Sequence, residues 1–170
     1  SGKKRLRAGE LGPGSLALQN LQAARDIIDK LGSTAVASRF TGKIKPFFEE
    51  YLITETEAGE AAVPFGGRDD ALAQHDAWLD NQSAPARLVL AAPAGRGKSA
   101  LLVHWVQRLE QAGRLGPDAG AWQLVFVPIS LRFNTNRPEV FYEALAARLA
   151  EILDQSLQPA HTDPAAYYED

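Results

Sequence analysis

The chain has 170 residues, 45% of them hydrophobic and 23% charged, with a net charge of −3 and no cysteine or methionine. Those proportions suit one ordinary globular domain and give no overall basic field for nucleic acid. The absence of cysteine excludes disulfides, thiolate nucleophiles and thiolate metal sites, and no apolar run approaches the ~18 residues of a membrane span. Lacking an initiator methionine, the chain reads as a piece of a larger cytoplasmic protein, with Ser1-Gly2 as a scar of tag removal.

In chain order, Lys3, Lys4, Arg5 and Arg7 form a short basic arm that reads as a solvated terminus. Ser15 then predicts a helix start, with Ala17, Leu21, Ala24, Ile28 and Leu31 on one stripe and Gly32 as its stop. Residues 39–53 carry Phe40, Phe47, Phe48 and Tyr51, read as core aromatics, with Pro46 opening a short helix at its first turn. The acid-rich stretch 54–62 reads as a linker. This divides the chain into a helical N-terminal segment, 1–53, and a second unit, 63–170.

The second unit opens with Phe65-Gly66-Gly67-Arg68-Asp69, which by itself reads as a tight turn entering a helix that runs to about Asp80. Asn81 to Ala86 make a loop. Leu88 to Ala92 is a short apolar run of the kind that forms a buried strand, and Ala94-Gly95-Arg96-Gly97-Lys98-Ser99-Ala100 follows it into an apolar-periodic helix. Strand, glycine loop and helix in that order are the pattern of a P-loop, although Ala92 stands where the full pattern has glycine. The chemistry explains the pattern. Gly95 and Gly97 let the backbone curl so that the N–H groups of residues 94–100 can face a phosphate, and the helix N-terminus adds further donors. Lys98 is expected on the β- and γ-phosphates and Ser99 on Mg²⁺. The plain alternative is a glycine turn before an ordinary helix, with Lys98 solvated.

Beyond it, Leu102, Val106 and Leu109 predict a helix turned towards a sheet, with His104 and Trp105 as packing or surface residues. Trp122 to Phe133 predicts a second long strand, interrupted at Pro128, and Arg132 is a candidate for nucleotide or interdomain contact. A last helix, Glu139 to about Leu157, carries Phe141, Leu145, Leu149, Ile152 and Leu153 on one stripe. The fold expected from this order is α/β, a partial P-loop NTPase with parallel strands and flanking helices behind a small helical segment.

On Phe65, Gly67 and Arg68 together with Ala92 to Leu102, the sequence resembles the STAND class of P-loop NTPases, which includes the NACHT and NB-ARC types. The resemblance covers roughly residues 63 to 157 and implies that Phe65, Gly67 and Arg68 fold over adenine. It implies ATP or ADP with Mg²⁺ as ligands, and a nucleotide-gated switch in bacterial, anti-phage signalling as the function. The acidic Walker B strand and the lid of that class are missing, so the chain is expected to bind nucleotide with little or no turnover. The expected partners are nucleotide, the remainder of a multidomain chain and, under nucleotide control, further copies of itself. Two other readings stand beside it: a AAA+-type DNA-associated ATPase, and a helical interaction module whose nucleotide site is vestigial.

Overall fold

A computed structural model describes residues 13–118 and 120–157. The basic arm and the tail from residue 159 lie outside the described residues. Helix α1 (Pro13–Thr34) is followed by a single 3-10 turn (Ser38–Phe40) and helix α2 (Thr41–Leu52). Strands β1 (Ile53–Thr56) and β2 (Gly59–Ala62) come next, then helices α3 (Asp69–Asp80), α4 (Lys98–Gln111) and α5 (Pro138–Ile152). The protein is therefore mainly helical among the described residues, and its one sheet is an antiparallel pair. This corrects the expected α/β architecture of parallel strands.

Helix α1 does not stop at Gly32. A Cβ at residue 32 would come within 2.9 Å of the Thr41 methyl, so glycine there lets α2 begin hard against α1. The Thr41 hydroxyl also donates to the Gly32 carbonyl at 2.8 Å. The stripe predicted on α1 is half used: Ala24, Ile28 and Leu31 are buried, whereas Ala17 is exposed. Leu16 and Leu18 are exposed with it, so the first turns stand clear of the core. Pro46 lies inside α2 and not at its start. Its missing N–H would have bonded to the carbonyl of Gly42, one turn before it.

Residues 53–62, which include the stretch read as a linker, form a hairpin with Thr56 opposite Gly59 and Ile53 opposite Ala62. Glu57 and Ala58 make its turn, and Gly59, at φ 108°, takes a conformation that favours glycine. The register sets Glu55 opposite Glu60, a like-charge pair that would repel across the strands. Glu60 is instead paired with Arg25 of α1.

The core is shared by four helices. Ile27, Ile28 and Leu31 of α1 meet Ile44, Phe47, Phe48 and Leu52 of α2, Val103, Val106 and Leu109 of α4, and Ala144 and Ala147 of α5. Phe126 closes it, its ring centroid 5.0 Å from Phe48 and 5.8 Å from Phe47, with Phe133 5.9 Å from Phe47. Helix α4 was expected to face a sheet. Its buried side lies in the helical core instead.

Helix α5 buries a different face from the one its sequence advertises. Ala144, Ala147 and Arg148 are buried, while Leu149 and Leu153 of the predicted stripe are exposed. Small residues let α5 approach closely, and Arg148 supplies the tie. Its guanidinium donates to the carbonyl of Leu124 at 3.1 Å and to those of Ser33 and Thr34 at the C-terminus of α1. Those last carbonyls have no partner within the helix and carry its negative pole, so a cation is favoured there. Glu151, one turn on, accepts from the Ser38 N–H at 2.9 Å and from its hydroxyl at 2.7 Å. Burial pushes its carboxyl up, but the Ser38 bonds and Arg148 outweigh it and hold the group below the usual range.

Candidate functional site

The residues singled out in the sequence come together around the start of α4. Gly97 is its N-cap, in the left-handed region at φ 76°, and Gly95 is at φ 74°. A Cβ at either glycine would meet no atom of the chain within 4 Å, so within the protein itself it is the backbone angle that favours glycine there. Lys98 folds back along the loop. Its ammonium donates to the carbonyls of Ala92 at 2.6 Å and Pro93 at 3.0 Å. Arg68, arriving from the segment before α3, donates to the Arg96 carbonyl at 3.2 Å. A cavity of about 310 Å³ lies between them, lined by Arg68, Leu90, Ala92, Arg96, Lys98 and Leu101 among others.

Phe65 goes elsewhere. Its ring stacks on His104 of α4, centroids 3.9 Å apart and planes 19° from parallel. Arg68, the residue at the start of α3, makes no side-chain cap. Gly67 has φ 68°, again in the left-handed region. Arg132 pairs with Glu50 of α2 at 2.7 Å and lies over the Phe133 ring, which accounts for it structurally.

The surroundings that a phosphate site requires are different. Residues 88–92 join no strand, and Leu88 and Val89 are exposed, Val89 to 83%. Residues 123–130 likewise lie outside any strand. That segment is fastened by the Phe126 N–H to the Ala35 carbonyl at 2.8 Å, and its Pro128 is buried. A P-loop is held taut because its strand is locked into a parallel sheet with ligand crevices at the strand ends. Here the loop is fastened by Lys98 and Arg68 to its own carbonyls. Mg²⁺ is held through oxygen donors that usually include carboxylates. Ser99 is one hydroxyl, and no cluster of His, Cys, Asp or Glu able to hold a metal occurs among the described residues. The donor set does not fit Mg²⁺.

No family model, no curated protein and no solved structure matches the chain. Together with the helical fold, this overturns the identification with the STAND class and its NACHT and NB-ARC relatives. The expected ATP or ADP and Mg²⁺ ligands, the P-loop ATPase activity and the nucleotide-gated switch are withdrawn with it. The AAA+ reading rested on the same parallel-strand core and goes the same way. No helix among the described residues is long and apolar enough to cross a membrane.

Two histidines read in the sequence as packing or surface residues, His75 and His104, are distinctive in the structure. His75 and His104 are buried, and each has an enclosed Nε2 without a hydrogen-bond partner. His75 Nδ1 lies 2.7 Å from the Ala71 carbonyl, and the ring meets Trp105 edge-on at 5.1 Å. His104 Nδ1 lies 2.9 Å from Gln107 Oε1. The i,i+3 spacing of His104 and Gln107 was visible in the sequence. The stacking of Phe65, from far along the chain, was not.

Proposed function

We propose that this chain is a helical interaction module, in which the loop before α4 has a structural role and no nucleotide chemistry. The observation that carries the reading is the set of large apolar side chains left open on a well-packed helical core. Val89, Leu131 and Ile129 are 83%, 80% and 71% exposed, and all three lie outside helices and strands. Their neighbours Leu124, Phe126 and Val127 are packed on the core, so the segment carrying Ile129 and Leu131 is anchored on one side and open on the other. Large apolar side chains on an anchored backbone are what a protein partner can desolvate at little cost in ordering. Burying each fully is worth about 1.5 to 3 kcal/mol.

The partner this surface fits is a protein with a matching apolar face, whether another region of a larger chain, a second copy or a different protein. The test is proximity labelling in cells, followed by binding of the purified partner to the chain and to its Val89→Asp/Leu131→Asp variant. Sedimentation of the chain alone separates self-association from the other two. Binding weakened at least about tenfold by the double variant, with helical content unchanged, is the expected result. Binding indifferent to these residues, or lost on Lys98→Ala, would overturn the reading.

A further inference from the structure

His104 is buried, 9% exposed, on α4. With Gln107 Oε1 as the acceptor, Nδ1 carries the proton of the neutral ring and Nε2 bears the lone pair. Nε2 is enclosed, and no group comes within hydrogen-bonding geometry of it. A second proton would therefore place an N–H of a charged ring in an enclosed site where the Tyr51 backbone compensates it only in part, a costly arrangement for a buried polar group.

Most charged groups on the surrounding elements are engaged elsewhere, and Asp69 and Asp70, in the first turn of α3, are exposed and in no ion pair among the described residues. On α4, Arg108 pairs with Asp76 of α3 at 3.2 Å, and Glu110 accepts from the Thr34 hydroxyl. On α2, Glu50 is held by Arg132 and Lys45 by Asp29. On the segment before α3, Arg68 is on the Arg96 carbonyl. No carboxylate among the described residues reaches the imidazole to compensate its charge. Burial accordingly holds the His104 pKa below the ordinary histidine value, against the smaller upward pulls of Gln107 and the Tyr51 backbone.

The part of this enclosure that can yield is residues 63–68. Helix α3 is tied to α4 by Asp76, which accepts from Trp105 Nε1 at 2.9 Å and pairs with Arg108. The segment leading into α3 has less to hold it. Val63 bonds to the Leu52 carbonyl, and beyond that come the Phe65 ring on His104 and the single Arg68 bond. We propose that His104 is a proton-operated latch: with the ring neutral, Phe65 seals it and residues 63–68 lie on α4, and with the ring protonated the segment lifts and Nε2 reaches water. The lift also frees Arg68 from the loop before α4, so the state of that loop follows the state of the ring.

The sign is fixed by linkage. A histidine whose folded pKa is lowered contributes stability that is present above its unfolded value of about 6.5 and is lost as pH falls through that value towards the folded pKa. The test is NMR on the full 170-residue chain between about pH 8 and pH 5, reading the His104 ring titration and the exchange of the Val63 amide, which is hydrogen-bonded to the Leu52 carbonyl, corrected for intrinsic rates. The expected result is a His104 midpoint below 6.5 and an opening at Val63 that rises by up to about tenfold per unit fall in pH. That rise persists in His75→Gln and disappears in His104→Gln. Should His104→Gln fail to fold, Phe65→Leu serves: it must bring the His104 midpoint back towards the ordinary value. A midpoint at or above that value, exchange that is flat with pH, an unchanged rise in His104→Gln, or an unmoved midpoint in Phe65→Leu would each overturn the latch.

Discussion

Gly95 and Gly97 show how little a residue type says about its use. Both were expected to be glycine so that the backbone could take a positive φ and so that a phosphate could approach. In the structure, space beside each is open, and the need is a left-handed backbone angle that lets the loop turn into α4. That distinction is testable. Gly97→Ala should destabilise the protein by about 1 to 2 kcal/mol, because alanine at φ 76° is strained whatever the room around it. Gly42→Ala, in α2 with open space and no positive φ, should stabilise it by about 0.5 kcal/mol. Urea unfolding of the two variants measures both, and equal effects would mean that the loop before α4 is not conformationally selected.

Among the elements, α5 most depends on a single side chain. Its buried face is made of alanines, which fit closely but contribute little apolar area, and Arg148 joins the helix to the segment at Leu124 and to the end of α1. A buried guanidinium satisfied by several carbonyls is worth more than its charge alone, since removing it leaves each carbonyl unpaired. Arg148→Met, which keeps the unbranched stem, should therefore cost about 2 to 3 kcal/mol. It should also speed amide exchange in α5 and in residues 124–127 more than in the hairpin. Exchange that rises equally everywhere would place the loss in global stability instead. The exposed Leu149 on the same helix, and Leu153 just past its end, follow from this arrangement: once the arginine face is turned inward, these leucines point away from the core.

At the scale of the molecule, α1 and α2 share one buried cluster with α4 and α5, and the hairpin packs beside them on α1. Residues on both sides of the expected division at 54–62 are in contact throughout that cluster. A core shared in this way has no seam along which half of it could melt, so the protein should unfold in one transition. Helical circular dichroism, which reports all the helices, and the fluorescence of Trp105 on α4, read in a Trp78→Phe/Trp122→Phe background, should then give the same urea midpoint. An early loss of helix with Trp105 still in its native state would show that residues 13–53 fold apart from the rest.

Local chemistry was legible in the sequence and long-range company was not. Periodicity, Pro46 and glycine placement located the five α-helices among the described residues, including the turn from Gly97 into α4, because those signals act within a few residues along the chain. The aromatics of residues 40–51 were read as core, and they are. Helix ends were read less well: Gly32 stops α1 only if nothing packs on it, and the start of α2 does. The two apolar runs at 88–92 and 122–133 were read as parallel strands, since a run of branched residues has the same appearance whether or not a neighbour pairs with it. A strand exists only through hydrogen bonds to another strand, and that is a property of the assembled chain. Likewise, no spacing could reveal that Phe65 would cover His104 or that Lys98 would close on Ala92 and Pro93. The sequence by itself determined where the chain coils and turns; only the tertiary structure decided which apolar faces found partners, because burial is settled between segments and not within them.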